Sequence, residues 1–151
     1  MVAADPPAPA CETTPPAVVT VPATSHAAVL ARTFAQAHLC HEHCRWSLPE
    51  VTLVVSELVT RALAAGVQPI TVQLSCTGTA ARVAVSDIAP ERVEPHRDSR
   101  LLVAARVATD WGREDREGDP MVWCTVAATD RGPTSTPTDR PARRRVAPPW
   151  A

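Results

Sequence analysis

Residues 47–66, SLPEVTLVVSELVTRALAAG, decide the fold. Pro49 costs little in a first helical turn, where its missing N–H would be unpaired anyway, and Ser47 with Glu50 three positions on spells a capping box. Val51, Val54, Val55, Leu58, Val59, Ala62 and Leu63 then follow in steps of three and four, a wide apolar stripe along one side of a helix. Val51, Val54, Val55 and Val59 are β-branched and only moderate helix formers, so packing of that face must help to hold the helix. Gly66 marks its expected end.

Outward from this helix the pattern changes period. Ile70 to Ser75 alternates apolar and polar residues, Thr77-Gly78-Thr79 suggests a turn, and Ala81 to Val85 alternates again, so the two runs read as an antiparallel hairpin. Asp87 to Arg97 is polar, holds Pro90 and Pro95, and reads as a long loop. Asp98 or Ser99 caps a third helix reaching about Thr109. Met121 to Val126 is a final strand, with Trp111 to Glu114 as a short strand facing it and Asp115 to Pro120 as the turn between them. Towards the N-terminus, Ala17 to Val21 reads as an edge strand. Ser25 is placed to cap a first helix running to about Cys44, with Leu30, Phe34, Ala37 and His41 on one side. Trp46 is expected to plug the corner between the first two helices, and Trp111 and Trp123 to pack near each other.

The order strand, helix, helix, strand, strand, helix, strand, strand predicts an α/β (α+β) two-layer sandwich, a mainly antiparallel sheet packed against helices. Three segments are expected: a loose Pro/Ala-rich arm over 1–16, one domain over 17–128, and a Pro/Arg-rich tail over 129–151. That tail carries Arg131, Arg140 and Arg143 to Arg145 against only Asp130 and Asp139.

Composition narrows the function classes. The chain has 151 residues, with 15 basic against 16 acidic side chains. Every basic residue is arginine, so no lysine amine exists to hold a phosphate or form a Schiff base. The near-neutral balance argues against a dedicated nucleic-acid binder. Met1 to Thr20 has acidic but no basic residues and no long apolar run, unlike a signal peptide, and no 18-residue apolar stretch suggests a membrane span. A cytoplasmic protein is the expectation.

Val55-Ser56-Glu57-Leu58-Val59-Thr60-Arg61-Ala62 resembles the signature helix of the GHKL superfamily of histidine kinases, gyrases and related ATPases. The likeness is to the branch of anti-sigma-factor serine kinases with many actinobacterial members. Val85-Ser86-Asp87, Trp111-Gly112 and Val122-Trp123 extend it, over about residues 17 to 127. The resemblance implies a Bergerat-type ATPase fold, a catalytic glutamate at Glu57 and an adenine-reading aspartate at Asp87. By its residue type alone, a strand-end aspartate at that position could equally cap the following turn.

The same resemblance exposes departures. The family places a magnesium-binding asparagine where this chain has Arg61, and a guanidinium has no lone pair to give a metal. Arg61 could instead pair with Glu57, one helical turn away, or touch a phosphate directly. A phosphate-cradling Gly-Arg-Gly triplet is replaced by Asp98-Ser99-Arg100, and a Gly-Lys-Thr by Asp119-Pro120-Met121. These changes predict a degenerate nucleotide pocket at Arg61, Asp87, Asp98 and Arg100, with Glu57 a vestigial base. The chain is then expected to be a non-catalytic regulator with lost or weakened ATP binding and no cofactor, ATP and magnesium belonging only to the alternative reading. Its partner would be a protein such as a sigma factor or an anti-anti-sigma-like regulator, with a homodimer as a second option and no membrane partner. The alternative is a working ATP-dependent serine kinase; a further option is a DNA-associated regulator using the Arg143 to Arg145 tail.

One cluster lies outside this scheme. His38, Cys40, His41, His43 and Cys44 crowd into seven positions, but zinc wants three or four convergent ligands, and one helix would need help from elsewhere. Buried cysteines with histidines on the polar side account for the run without a metal. The five cysteines, odd in number and irregular in spacing, do not suggest a disulfide framework.

Overall fold

The computed structural model describes residues 16–41, 43–88 and 99–128. The two expected arms and Asp98 lie outside them, Pro16 apart.

The elements run β1 (Ala17–Val21), α1 (Ala27–His38), a 3-10 turn (Arg45–Ser47), α2 (Leu48–Ala64), β2 (Ile70–Cys76), β3 (Ala80–Ser86), α3 (Ser99–Val107), β4 (Asp110–Arg116) and β5 (Asp119–Ala127). The strands form one sheet in the order β1-β2-β3-β5-β4, and all four pairings are antiparallel. Helix α2 lies at the centre of the helical layer, against β2, β3 and β5; α1 packs on β1 and β2, and α3 on β5. The chain is therefore a mixed α/β fold in two layers, an antiparallel sheet covered by helices.

Register explains the core. Val72, Val85 and Val122 line up across β2, β3 and β5, and so do Leu74, Val83 and Cys124, with Trp111 beyond them on β4. All of these point under the helices and are buried, where they meet Val51, Val54, Val55, Leu58 and Val59 of α2. Full burial of one such aliphatic side chain is worth about 1.5–3 kcal/mol, enough to outweigh the weak helix propensity of the valines. At the far end of α2, Gly66 takes φ +79°. The N–H of Gly66 bonds to the Leu63 carbonyl and that of Val67 to the Ala62 carbonyl, a Schellman ending.

Several local expectations change. Helix α1 stops at His38, and its N-terminal residue His26 has no side-chain cap. Thr24, rather than Ser25, accepts the local hydrogen bond, from the His26 N–H. The inward face of α1 is Ala27, Ala31 and Ala35, while Leu30 is 45% exposed. Small residues won that face because they let α1 approach its neighbours. Ser47 makes no capping bond; its buried hydroxyl donates to the Ala127 carbonyl at 2.7 Å, tying the start of α2 to the end of β5. Strands β4 and β5 extend further than expected and meet in a two-residue turn, Glu117 (φ 53°) and Gly118 (φ 88°), the pair of positive φ angles that a type I′ hairpin requires.

The tryptophans also separate. Trp111 pairs with Cys124, and Trp123 with Gly112, so the two indoles emerge on opposite faces of the sheet. Trp123 lies across Gly112 with the Arg82 guanidinium 5.3 Å from its ring centroid. Trp46 is 41% exposed, with Arg45 stacked on it at 4.8 Å, and so plugs no corner.

Candidate functional site

Helix α2 and the C-terminal end of β3 meet at a buried charge cluster. Arg61 is the last basic residue of α2, and the stripe that buries Leu58 and Ala62 also turns its guanidinium inward. Asp87 directly follows β3, where the strand register ends and the chain leaves the sheet. The Arg61 Nη1 donates to Asp87 Oδ1 at 2.7 Å, and the two side chains are only 7% and 2% exposed.

A second arginine completes the arrangement. Arg113 of β4 pairs with Val122, so it rises on the helix side of the sheet, where its Nε lies 3.7 Å from Asp87 Oδ2. The Ile88 N–H donates to Oδ1 at 2.8 Å, so the carboxylate also holds the backbone where it leaves β3. The Asp87 N–H in turn donates to the Pro120 carbonyl at 2.8 Å, fixing the strand end against β5. Both carboxylate oxygens therefore face cations. A buried ion pair of this kind is costly to assemble but costlier to break, because removing one partner strands the other charge.

Next to the cluster is a half-open hollow of about 230 Å³ lined by Asp87, Ile88, Arg113, Asp115, Pro120 and Met121, among others. That is below the roughly 300–1,000 Å³ of ordinary small-molecule pockets. Glu57 sits one turn before Arg61 on α2, half-buried, and its neighbour Ser56 accepts a hydrogen bond from Arg32 of α1 at 3.0 Å. Arg100 falls in the first turn of α3.

Of the residues singled out in the sequence, the structure thus brings Arg61 and Asp87 into contact and puts Glu57 on the same helix as Arg61. The partner seen for Arg61 is a residue 26 positions away on another element, which helical spacing cannot reveal. Arg113 was missed. Its only sequence signal is position: it directly follows the Trp111-Gly112 pair.

Cys124 and Cys76 are poorly placed to act as nucleophiles. Burial pushes Cys124 up to about 12, against an opposing pull from Arg61. Burial also pushes Cys76 up to about 11, partly offset by the Gly78 N–H that points at its sulfur. Thiols so held are poor nucleophiles near neutral pH. Among the described residues, no helix is long and apolar enough to cross a membrane.

No family model matches the chain, and no curated protein matches it. Among solved structures it is similar to the RsbU and RsbW domains of Rv1364c from Mycobacterium tuberculosis, with a TM-score of 0.57 and 20% identity over 81% of this chain. The similarity spans 35% of that structure's chain, so the relative is much the longer protein. What the two share is a fold: helices laid over an antiparallel sheet.

Proposed function

We propose that this chain is a non-catalytic regulator that works by binding another protein, on an ATPase-type scaffold whose nucleotide site is closed by its own side chains. The observation that carries this reading is the Arg61–Asp87 contact at 2.7 Å. In the family that the sequence resembles, the corresponding two positions serve magnesium and adenine. Here an arginine incapable of binding a metal holds the very carboxylate that would read the base, and Arg113 stands on its other side. A nucleotide would have to break a buried ion pair before making its first contact.

The similarity to a structure named for RsbU and RsbW domains supports a regulatory, protein-binding role of the anti-sigma kind. So do Val29 and Leu30 on α1 and Leu102 and Val103 on α3, large apolar side chains left 38–50% exposed. The partner expected is a sigma factor or a regulator of one.

Calorimetric titration of the folded chain with magnesium ATP tests the closed pocket. No saturable heat at millimolar nucleotide is expected. Micromolar, magnesium-dependent binding would instead support the serine-kinase reading and remove this one. The protein-binding half is tested by capture from the native cell with wild type and with a Val29→Asp/Leu30→Asp variant. A sigma-factor regulator retained by the first and lost by the second is the expected result; equal retention of every captured protein counts against it.

A further inference from the structure

At the opposite end of β3 from Asp87, three cysteines and a histidine come together from two distant parts of the chain. Helix α1 ends at His38, so Leu39–His41 and His43–Cys44 bend away rather than continue the helix as expected. The Cys44 N–H closes that bend on the Cys40 carbonyl at 3.0 Å, bringing Cys40, His43 and Cys44 round to the end of β2. There, β2 delivers Cys76 as its last residue. The Cys40 Sγ, a ring nitrogen of His43 and the Cys76 Sγ all lie within 4.8 Å of one another. Cys40 Sγ is 3.4 Å from His43 Nδ1, and Cys44 Sγ is 3.6 Å from Cys76 Sγ.

The geometry points to a structural zinc site formed by Cys40, His43 and Cys76, with Cys44 as the fourth ligand. Tetrahedral zinc, with bonds of about 2.3 Å to sulfur and about 2.0–2.1 Å to nitrogen, sets its ligands about 3.8 Å apart for two sulfurs and about 3.5 Å for sulfur and nitrogen. The two short contacts match those edges. Cys44, already 3.6 Å from Cys76, stands beside the three and would have to turn its sulfur towards them to complete the set. The surroundings suit a thiolate site as well: the Gly78 N–H donates to Cys76 Sγ at 3.4 Å, the kind of outer hydrogen bond that steadies a metal-bound sulfur. His41 is exposed in the same bend and lies outside the cluster, so the spacing Cys40, His43, Cys44 selects one histidine from a histidine-rich run. A metal here pins the α1–α2 connection to the β2–β3 hairpin.

The test uses the full chain, reduced, stripped of metal and handled without oxygen, and titrated with cobalt(II). The expected result is a saturable spectrum at one equivalent, with the intense visible bands of a tetrahedral ion and a thiolate charge-transfer band, abolished by one equivalent of zinc. His43→Ala and Cys40→Ser, with folding checked by circular dichroism, should weaken binding by at least about tenfold, whereas His41→Ala should leave it unchanged. The site is refuted if the folded, fully reduced chain gives no such spectrum, or if His41→Ala weakens binding as much as His43→Ala. None of these outcomes bears on nucleotide binding at Asp87.

Discussion

Arg61 of α2 and Asp87 beyond β3 are joined by a 2.7 Å contact that links the helical layer to the sheet across a nearly dry interval. The pair is a structural joint between the two layers, and its two halves are not equivalent. Asp87 faces two arginines, while Arg61 faces an aspartate that has a second cation nearby.

The first prediction follows from that asymmetry. Asp87→Ala removes the carboxylate that both guanidinium groups face and should cost about 3–5 kcal/mol, as is typical of a broken buried pair. Arg61→Ala leaves Asp87 with Arg113 and should cost less. The double variant should be less damaged than the sum of the two. Urea denaturation of the four species as a double-mutant cycle measures this; additive losses would show that the pair is not coupled.

Alkaline pH provides a second test. The Cys124 thiol, with an ordinary value of 9.0, is pushed up to about 12 in the fold. The folded chain keeps this proton over a range in which the unfolded chain has lost it. Its contribution to stability is therefore complete below pH 9.0 and declines as pH rises towards about 12. One thiol gives a slope of at most about 1.4 kcal/mol per pH unit. Cys124→Ala should flatten the alkaline limb of stability measured by urea melts; an unchanged slope would assign the loss to other groups.

On the outer face of the sheet, a Cβ on Gly112 would come 2.8 Å from Cζ2 of Trp123. Gly112→Ala should therefore push the indole off β4 and disturb its stacking with Arg82, costing about 1–3 kcal/mol. Denaturation together with a change in tryptophan fluorescence checks it. A fully stable variant with an unshifted spectrum would mean the ring has room to move.

Ser47 offers the fourth. Its hydroxyl is fully buried and donates to Ala127 at 2.7 Å. Ser47→Ala should cost about 0.5–1.5 kcal/mol, the net worth of the hydrogen bond it deletes, whereas Glu50→Ala, which removes the capping-box partner expected from the sequence, should cost only tenths. Equal losses would restore the capping box.

The contrast at Ser47 shows what the sequence could and could not reveal. The stripe from Val51 to Leu63 and the alternation of β2 and β3 were legible because helix and strand periodicity is written in consecutive residues. The capping motif was legible too, but the hydroxyl found a better acceptor on a strand 80 residues later. Arg61 was visible as an oddity in a familiar helix, yet its choice of Asp87 depends on how α2 lies over β3. The cysteine run suffered the same way: Cys76 adjoins it only because the sheet brings the end of β2 to the bend. Asp98 and the two arms lie outside the described residues, so their expected roles rest on sequence alone.

The alanines on the inner side of α1 carry a last implication. Ala27, Ala31 and Ala35 are fully covered, while Val29 and Leu30 on the same helix face water. The residues that hold the helix down and those that could greet a visitor are different residues. Substitutions can then rewrite the outer set without loosening the seam beneath.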